Sequence, residues 1–177
     1  MKSTRKWIAA IMAVLMLVLM AACGNGGNAA NENKAGYRTL EEIKAAGTIN
    51  IGVFSDKNPF GYVDENGEYQ GYDVYFARRL AEDLGVKVNF ISTEAANRIE
   101  YLKTGKVDVI LANFTVTPAR AEEVDFALPY MNVALGVVSP EGRVITTLED
   151  WDENDEMIVI SGTTAETCLL YTSPSPR

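Results

Sequence analysis

Histidine is absent from the 177 residues, and with it go the Ser-His-Asp triad, the usual general base and the commonest metal ligand. Cysteine is nearly absent. Cys23 and Cys168 are the only two; with Cys23 acylated, as read below, no disulfide framework forms and the fold must stand on its core. No carboxylate or cysteine cluster has metal-ligand spacing, so no metal, no cofactor and no catalytic residue is assigned. Positive charge is also scarce. Residues 2, 5, 6 and 177 hold four of the 16 basic residues, which leaves 12 against 24 acidic ones and a net charge of −12 for residues 23–176. So acidic a surface excludes nucleic acid as a partner. A long apolar run is missing too: residues 8–20 are apolar without interruption, but a membrane span needs roughly 20.

What is present begins with an export signal. Lys2, Arg5 and Lys6 precede that short apolar stretch, and Ala21-Ala22-Cys23 follow it. Basic flank, short apolar segment and small residues before a cut site mark residues 1–22 as a secretory signal. The pattern ends as lipoprotein signals do, which makes Cys23 the expected site of lipidation; the alternative is ordinary cleavage near Ala22 with Cys23 left as a thiol. Residues 23–36 are rich in Gly, Asn and Ala, with almost nothing to bury, and read as a flexible tether. The expected location is the extracytoplasmic face of the cell membrane, reached through a lipid anchor. Stable anchoring takes more than one acyl chain.

Residues 37–167 alternate β-type runs with amphipathic helical segments. A helix is expected over 40–46, capped by Thr39 and stopped by Gly47. A strand follows over 48–54 (TINIGVF), then a hairpin around Asp64-Glu65-Asn66-Gly67. Asp73 is expected to cap a helix reaching Leu84, with Val74, Ala77, Leu80, Ala81 and Leu84 on one face. Further strands are expected over 86–91 and 107–112, with a helix over 95–104 between them. Thr117 and Pro118 should open a short helix ending near Val124. Another strand is expected over 134–139, a turn at Pro140-Glu141-Gly142, a helix over 146–151 and a fresh strand over 157–161. Strand and helix in alternation signify a parallel sheet wound by helices. The restart divides the chain into residues 37–142 and the beginning of a second unit over 143–167. Residues 168–177 (CLLYTSPSPR) resemble one reading frame of a transposon-type sequencing adapter. They are expected to be non-native, with the natural protein continuing past Thr167; the alternative is a genuine Pro/Ser-rich tail.

Ligands of open α/β sheets sit beyond the carboxyl ends of the strands. Asp56, Lys57 and Phe60 follow the first strand, Arg98 follows the second, and Asn113, Phe114, Thr115 and Arg120 follow the third. Thr163 and Thr164 open a helix after the restart. Arginines bind carboxylates bidentately and helix N-termini offer N–H donors, so this rim suits a zwitterion with a polar side chain. Each residue has another reading. Arg98 could pair with Glu94 or Glu100, Lys57 could be solvated, Phe60 and Phe114 could pack at the core edge, and Asn113 could satisfy strand-end backbone.

The stretches GVFSDKNPFGYVDENGEYQGYDVYFARRLAEDLG and DVILANFTVTPARAEEVDFALPY resemble the family 3 extracellular solute-binding proteins, amino-acid receptors of ABC importers. Gly71-Tyr72-Asp73 matches the family signature, from which Tyr75 departs. The resemblance implies the type II periplasmic-binding fold, an α/β architecture of two lobes, of which the second is only begun here. It implies an amino acid as ligand, held by Arg120 and Thr115 at its α-carboxylate and by backbone donors of Thr163 and Thr164. The phrase Glu94-Ala95-Ala96-Asn97-Arg98 with ILANFTVTP is similar to the subgroup binding cysteine, aspartate or glutamate, in whose acidic-ligand members Arg98 would read the side-chain carboxylate. An ABC permease is the implied protein partner. Two other classes stay open: a cyclohexadienyl dehydratase-like enzyme on the same fold, and a sensing lipoprotein without transport.

Overall fold

The computed structural model describes residues 36–147, 150–152 and 154–172. The export signal, Cys23 and most of the tether lie outside them, as do the last five residues of the expected tail.

Local chemistry sets the first element. Helix α1 (Leu40–Ala46) opens on a reciprocal cap in which Thr39 Oγ1 accepts from Glu42 N and the Glu42 carboxylate accepts from Thr39 N. It ends at Gly47, whose φ of 66° places it in the left-handed region. Strand β1 (Thr48–Val53) follows, with Ile49, Ile51 and Val53 fully buried. A small antiparallel sheet comes next, formed by β2 (Asp56–Lys57), β3 (Gly61–Val63) and β4 (Tyr69–Gln70). Its turn is closed by Asp64, whose carboxylate accepts from Asn66 N and Glu68 N.

Helix α2 (Tyr72–Leu84) lays Val74, Ala77 and Ala81 into the core, with Leu80 and Leu84 partly buried beside them. Its start corrects the sequence reading. Gly71 is the cap, with no side-chain hydrogen bond, and Asp73 lies inside the first turn, fully buried. A side chain at Gly71 would stand 2.4 Å from Phe60 O, so glycine alone permits this entry. Strand β5 (Lys87–Ser92) and β6 (Val109–Ile110) flank β1, both parallel to it, in the order β5-β1-β6. Between them run a 3-10 turn (Ala95–Asn97) and helix α3 (Arg98–Lys103). Parallel strands joined through helices confirm the expected winding.

Beyond β6 the expectations diverge from the structure. Only Val109 and Ile110 of the apolar run 107–112 join the ladder. Residues 134–139 form no strand, and Leu135, Val137 and Val138 are exposed. Residues 157–161 form none either. Apolar composition is not enough for a strand, because the backbone also needs a partner to bond. Instead, β6 borders a cavity of about 490 Å³ lined by residues that include Leu111, Phe126, Leu128 and Met131. Helix α4 (Pro118–Ala121) is capped by Thr117 and stops three residues before the expected Val124. The turn after Pro140 is present, with Arg143 N donating to Pro140 O. Over 146–151 no α-helix is described: Asp150 accepts from Thr146 N and Thr147 N, and positions 148 and 149 lie outside the described residues. Helix α5 (Thr164–Thr172) begins where the sequence placed a helix start and runs through Cys168.

Candidate functional site

The carboxyl ends of β1, β5 and β6 point the chain into three loops, and the residues that follow β5 and β6 meet the segment before α5. Arg98, first residue of α3, is 3 % exposed. Its Nε donates to Ala95 O at 2.9 Å, its Nη1 to Ala112 O at 3.0 Å and Asn113 O at 3.1 Å, and its Nη2 to Gly162 O at 2.8 Å. Neither Glu94 nor Glu100 is its partner. Arg120, on α4, sends Nη1 to Thr115 O at 2.7 Å and Nη2 to the same Gly162 O at 2.8 Å. Two cations therefore converge on one carbonyl oxygen. Both also approach the ring of Phe114, Arg98 at 4.4 Å and Arg120 at 4.8 Å from its centroid, within cation–π range.

Among the described residues neither guanidinium has a carboxylate partner. Loss of solvent, followed by repulsion from Arg120, lowers the Arg98 pKa to about 10; burial alone lowers that of Arg120. Two desolvated like charges without a counter-ion are costly, and carbonyl dipoles meet only part of that cost. Beside the pair lies a cavity of about 170 Å³, lined by Ala95, Ala96, Ile99, Phe114, Arg120, Gly162 and Thr163 among others.

A second cluster holds the loop after β6 in place. Asn113 has φ of 43°, in the left-handed region, and its N donates to Asp73 Oδ2 at 2.9 Å. The other Asp73 oxygen accepts from Tyr130 Oη at 2.7 Å, while Asp73 N donates to Phe60 O at 2.9 Å. One buried residue thus ties together the loop after β1, the loop after β6 and the segment near Tyr130. Burial raises the Asp73 pKa, against the opposing effect of its bonds to Tyr130 and Asn113. Burial and then Asp73 itself push the Tyr130 hydroxyl up.

The structure brings together Arg98, Asn113, Phe114, Thr115, Arg120 and Thr163. Thr163 Oγ1 donates to Ile160 O, and Thr164 begins α5. Asp56 and Lys57 pair with each other on the small sheet instead, with Lys57 Nζ 6.0 Å from the Phe54 ring. Phe60 contributes its carbonyl rather than a ring to this network. Sequence reasoning missed Tyr130, the anchoring role of Asp73, and Glu166, whose carboxylate accepts from Gly162 N at 2.7 Å. No local pattern signals Tyr130, whereas Thr163 and Glu166 have the same spacing as the Thr39 and Glu42 cap, and Glu166 N donates to Thr163 Oγ1.

The description "Bacterial extracellular solute-binding proteins, family 3" matches residues 49–158, more than half of the chain. A solved structure, the solute receptor for L-cysteine of Neisseria gonorrhoeae, superposes with a TM-score of 0.73 at 56% identity, covering 76% of this chain and 56% of that one. The glutamine-binding protein of an ABC transporter from Bacillus subtilis is 28% identical over 170 residues, 93% of this chain and 62% of its own length. Domain 1 of the arginine-binding protein of T. maritima, solved in an arginine-bound form, superposes with a TM-score of 0.51 at 38% identity, over 52% of this chain and 72% of that one. The chain thus spans little more than half the length of the first two relatives. The fold is the α/β type II periplasmic-binding fold expected from the sequence, here in part. The chain belongs to the bacterial extracellular solute-binding proteins, family 3.

Proposed function

We propose that this protein is the substrate-binding lipoprotein of an ABC importer. It captures a polar amino acid such as cysteine, aspartate or glutamate in a cleft between residues 37–142 and the unit that begins at 143. The observation that carries the reading is the pair of desolvated guanidiniums, Arg98 and Arg120, without a carboxylate partner among the described residues. Arg120 has two of its five N–H donors spent, on Thr115 O and Gly162 O. The rest can fork onto an α-carboxylate. Thr163 lines the 170 Å³ cavity together with Arg120, and the Thr115 hydroxyl and the backbone N–H groups of Thr163 and Thr164 are the further donors this reading assigns. The relatives whose names state an amino-acid ligand support this assignment. That an arginine-bound domain 1 has been solved by itself further supports placing ligand contacts on this part of the fold. Closure of the cleft then presents the loaded form to a membrane permease.

Calorimetric titration with the common L-amino acids, and with prephenate and arogenate, tests this. A saturable heat with one or a few polar amino acids is expected. Turnover of prephenate or arogenate would replace the receptor reading by the dehydratase one.

Anchoring is a separate prediction. With Cys23 as the lipid-bearing residue, Cys23→Ala should move the protein from the membrane fraction to the soluble extracytoplasmic fraction, read by fractionation and immunoblot. A mutant that sediments with membranes as the parent does would sink the lipoprotein reading.

A further inference from the structure

Arg98 is more heavily committed to the protein than a ligand clamp would be. Four of its five N–H donors are spent on the carbonyls of Ala95, Ala112, Asn113 and Gly162. One remains, and a bidentate grip on a carboxylate needs two. Gly162, the most distant of these partners in sequence, is built for the contact. Its φ is 77°, and a Cβ there would stand 2.6 Å from Ala96 Cα and 2.8 Å from Ala96 N. Only glycine brings the backbone of this segment so close to the 3-10 turn. The preceding peptide unit is held as well, since Gly162 N donates to the Glu166 carboxylate. A carboxylate thus holds the N–H of Gly162 and two guanidiniums hold its carbonyl, so the two peptide units flanking its Cα are both fixed. Each of these bonds involves a charged group and is stronger than its neutral counterpart.

We infer that Arg98 is a positioning residue that fastens residues 162–167 across the strand-end loops through the Gly162 carbonyl, setting closure of the cleft instead of reading the ligand's side chain. What is left to face a side chain is then the wall of the 170 Å³ cavity, small and apolar at Ala95, Ala96 and Ile99, with Glu166 on it disfavouring a side-chain carboxylate. The ligand class that follows is a small neutral amino acid. That last step rests on capture at Arg120, whereas the fastening itself does not.

The test has two arms. In the protein without ligand, Arg98→Met and Gly162→Ala should each speed amide hydrogen exchange across residues 162–167 by about tenfold, the loss expected for a hydrogen bond to a charged group. In the second arm, both variants should weaken L-cysteine by a similar factor, mostly through faster release. Gly162→Ala leaves the three bonds of Arg98 to Ala95, Ala112 and Asn113 in place, so it answers even if Arg98→Met fails to fold. Unchanged exchange in Gly162→Ala would overturn the fastening. A loss in Arg98→Met confined to L-glutamate, with L-cysteine unaffected, would return Arg98 to the role of side-chain reader. If the parent protein binds no amino acid, the proposed function fails while the exchange arm still decides the role of Arg98.

Discussion

Arg120→Met should weaken every α-amino acid that the protein binds by about 30-fold or more, whatever the side chain. Removing one member of a desolvated charge pair typically costs about 2–5 kcal/mol, and each 1.4 kcal/mol is tenfold in affinity. Uniformity is the informative part, because the α-carboxylate is common to all these ligands. Arg120 is suited to that task by geometry: its donors to Thr115 O and Gly162 O fix the plane of the guanidinium and leave the remaining N–H groups unspent. Methionine keeps much of the length and apolar bulk against Phe114 and removes the charge. Calorimetry of parent and variant against cysteine, serine, glutamine and glutamate reads the result. A variant that binds its best ligand as tightly as the parent would remove the carboxylate clamp, and with it most of the site assignment.

The second large effect concerns folding. Asp73→Ala should destabilise the protein by about 2–4 kcal/mol, because Asn113 N and Tyr130 Oη both lose their acceptor in a buried region, at about 1–3 kcal/mol for each unsatisfied group. Asp73→Asn should cost less and should show a distinct pH signature. Burial holds the Asp73 pKa above its ordinary value of 3.8, so the folded state binds that proton more tightly than the unfolded state does. Its contribution to stability is therefore full below pH 3.8 and is lost as pH rises through the folded value. The asparagine variant has no such proton. Relative to it, the parent should lose stability on going up through that window, as read from urea midpoints in a pH series. Parallel curves for parent and Asp73→Asn would show that the carboxyl does not titrate as its burial requires.

Where the sequence was legible, the signals were short-range. Thr39 with Glu42 announces α1, Asp64 to Gly67 announces the hairpin, and Gly47 and Gly85 stop their helices. Each device is complete within a few residues. The apolar run at 134–139 was misread because a strand is defined by the neighbour it bonds, and the neighbour is not written in the run itself. Asp73 shows the same limit at the site. Standing before an apolar helical face it reads as a cap, whereas its carboxylate serves Asn113, 40 residues away, and Tyr130, 57 away. The rim from Asn113 to Arg120 could be found because strand ends gather ligand contacts. That Arg98 spends its donors on carbonyls could not, since a carbonyl has no residue type.

The choice of cation has a consequence for the conditions under which the site can work. Histidine changes charge near neutral pH and would switch a binding pocket off as its surroundings turn alkaline. Here the positive charge rests on guanidinium alone, and even the buried Arg98 keeps a pKa of about 10. Across the mildly acidic to mildly alkaline range a medium traverses, neither guanidinium should lose its charge, so on the proposed reading their pull on a ligand carboxylate should persist. Variation in capture over that range would then come from groups other than these two arginines, the solute's own ionisable groups among them.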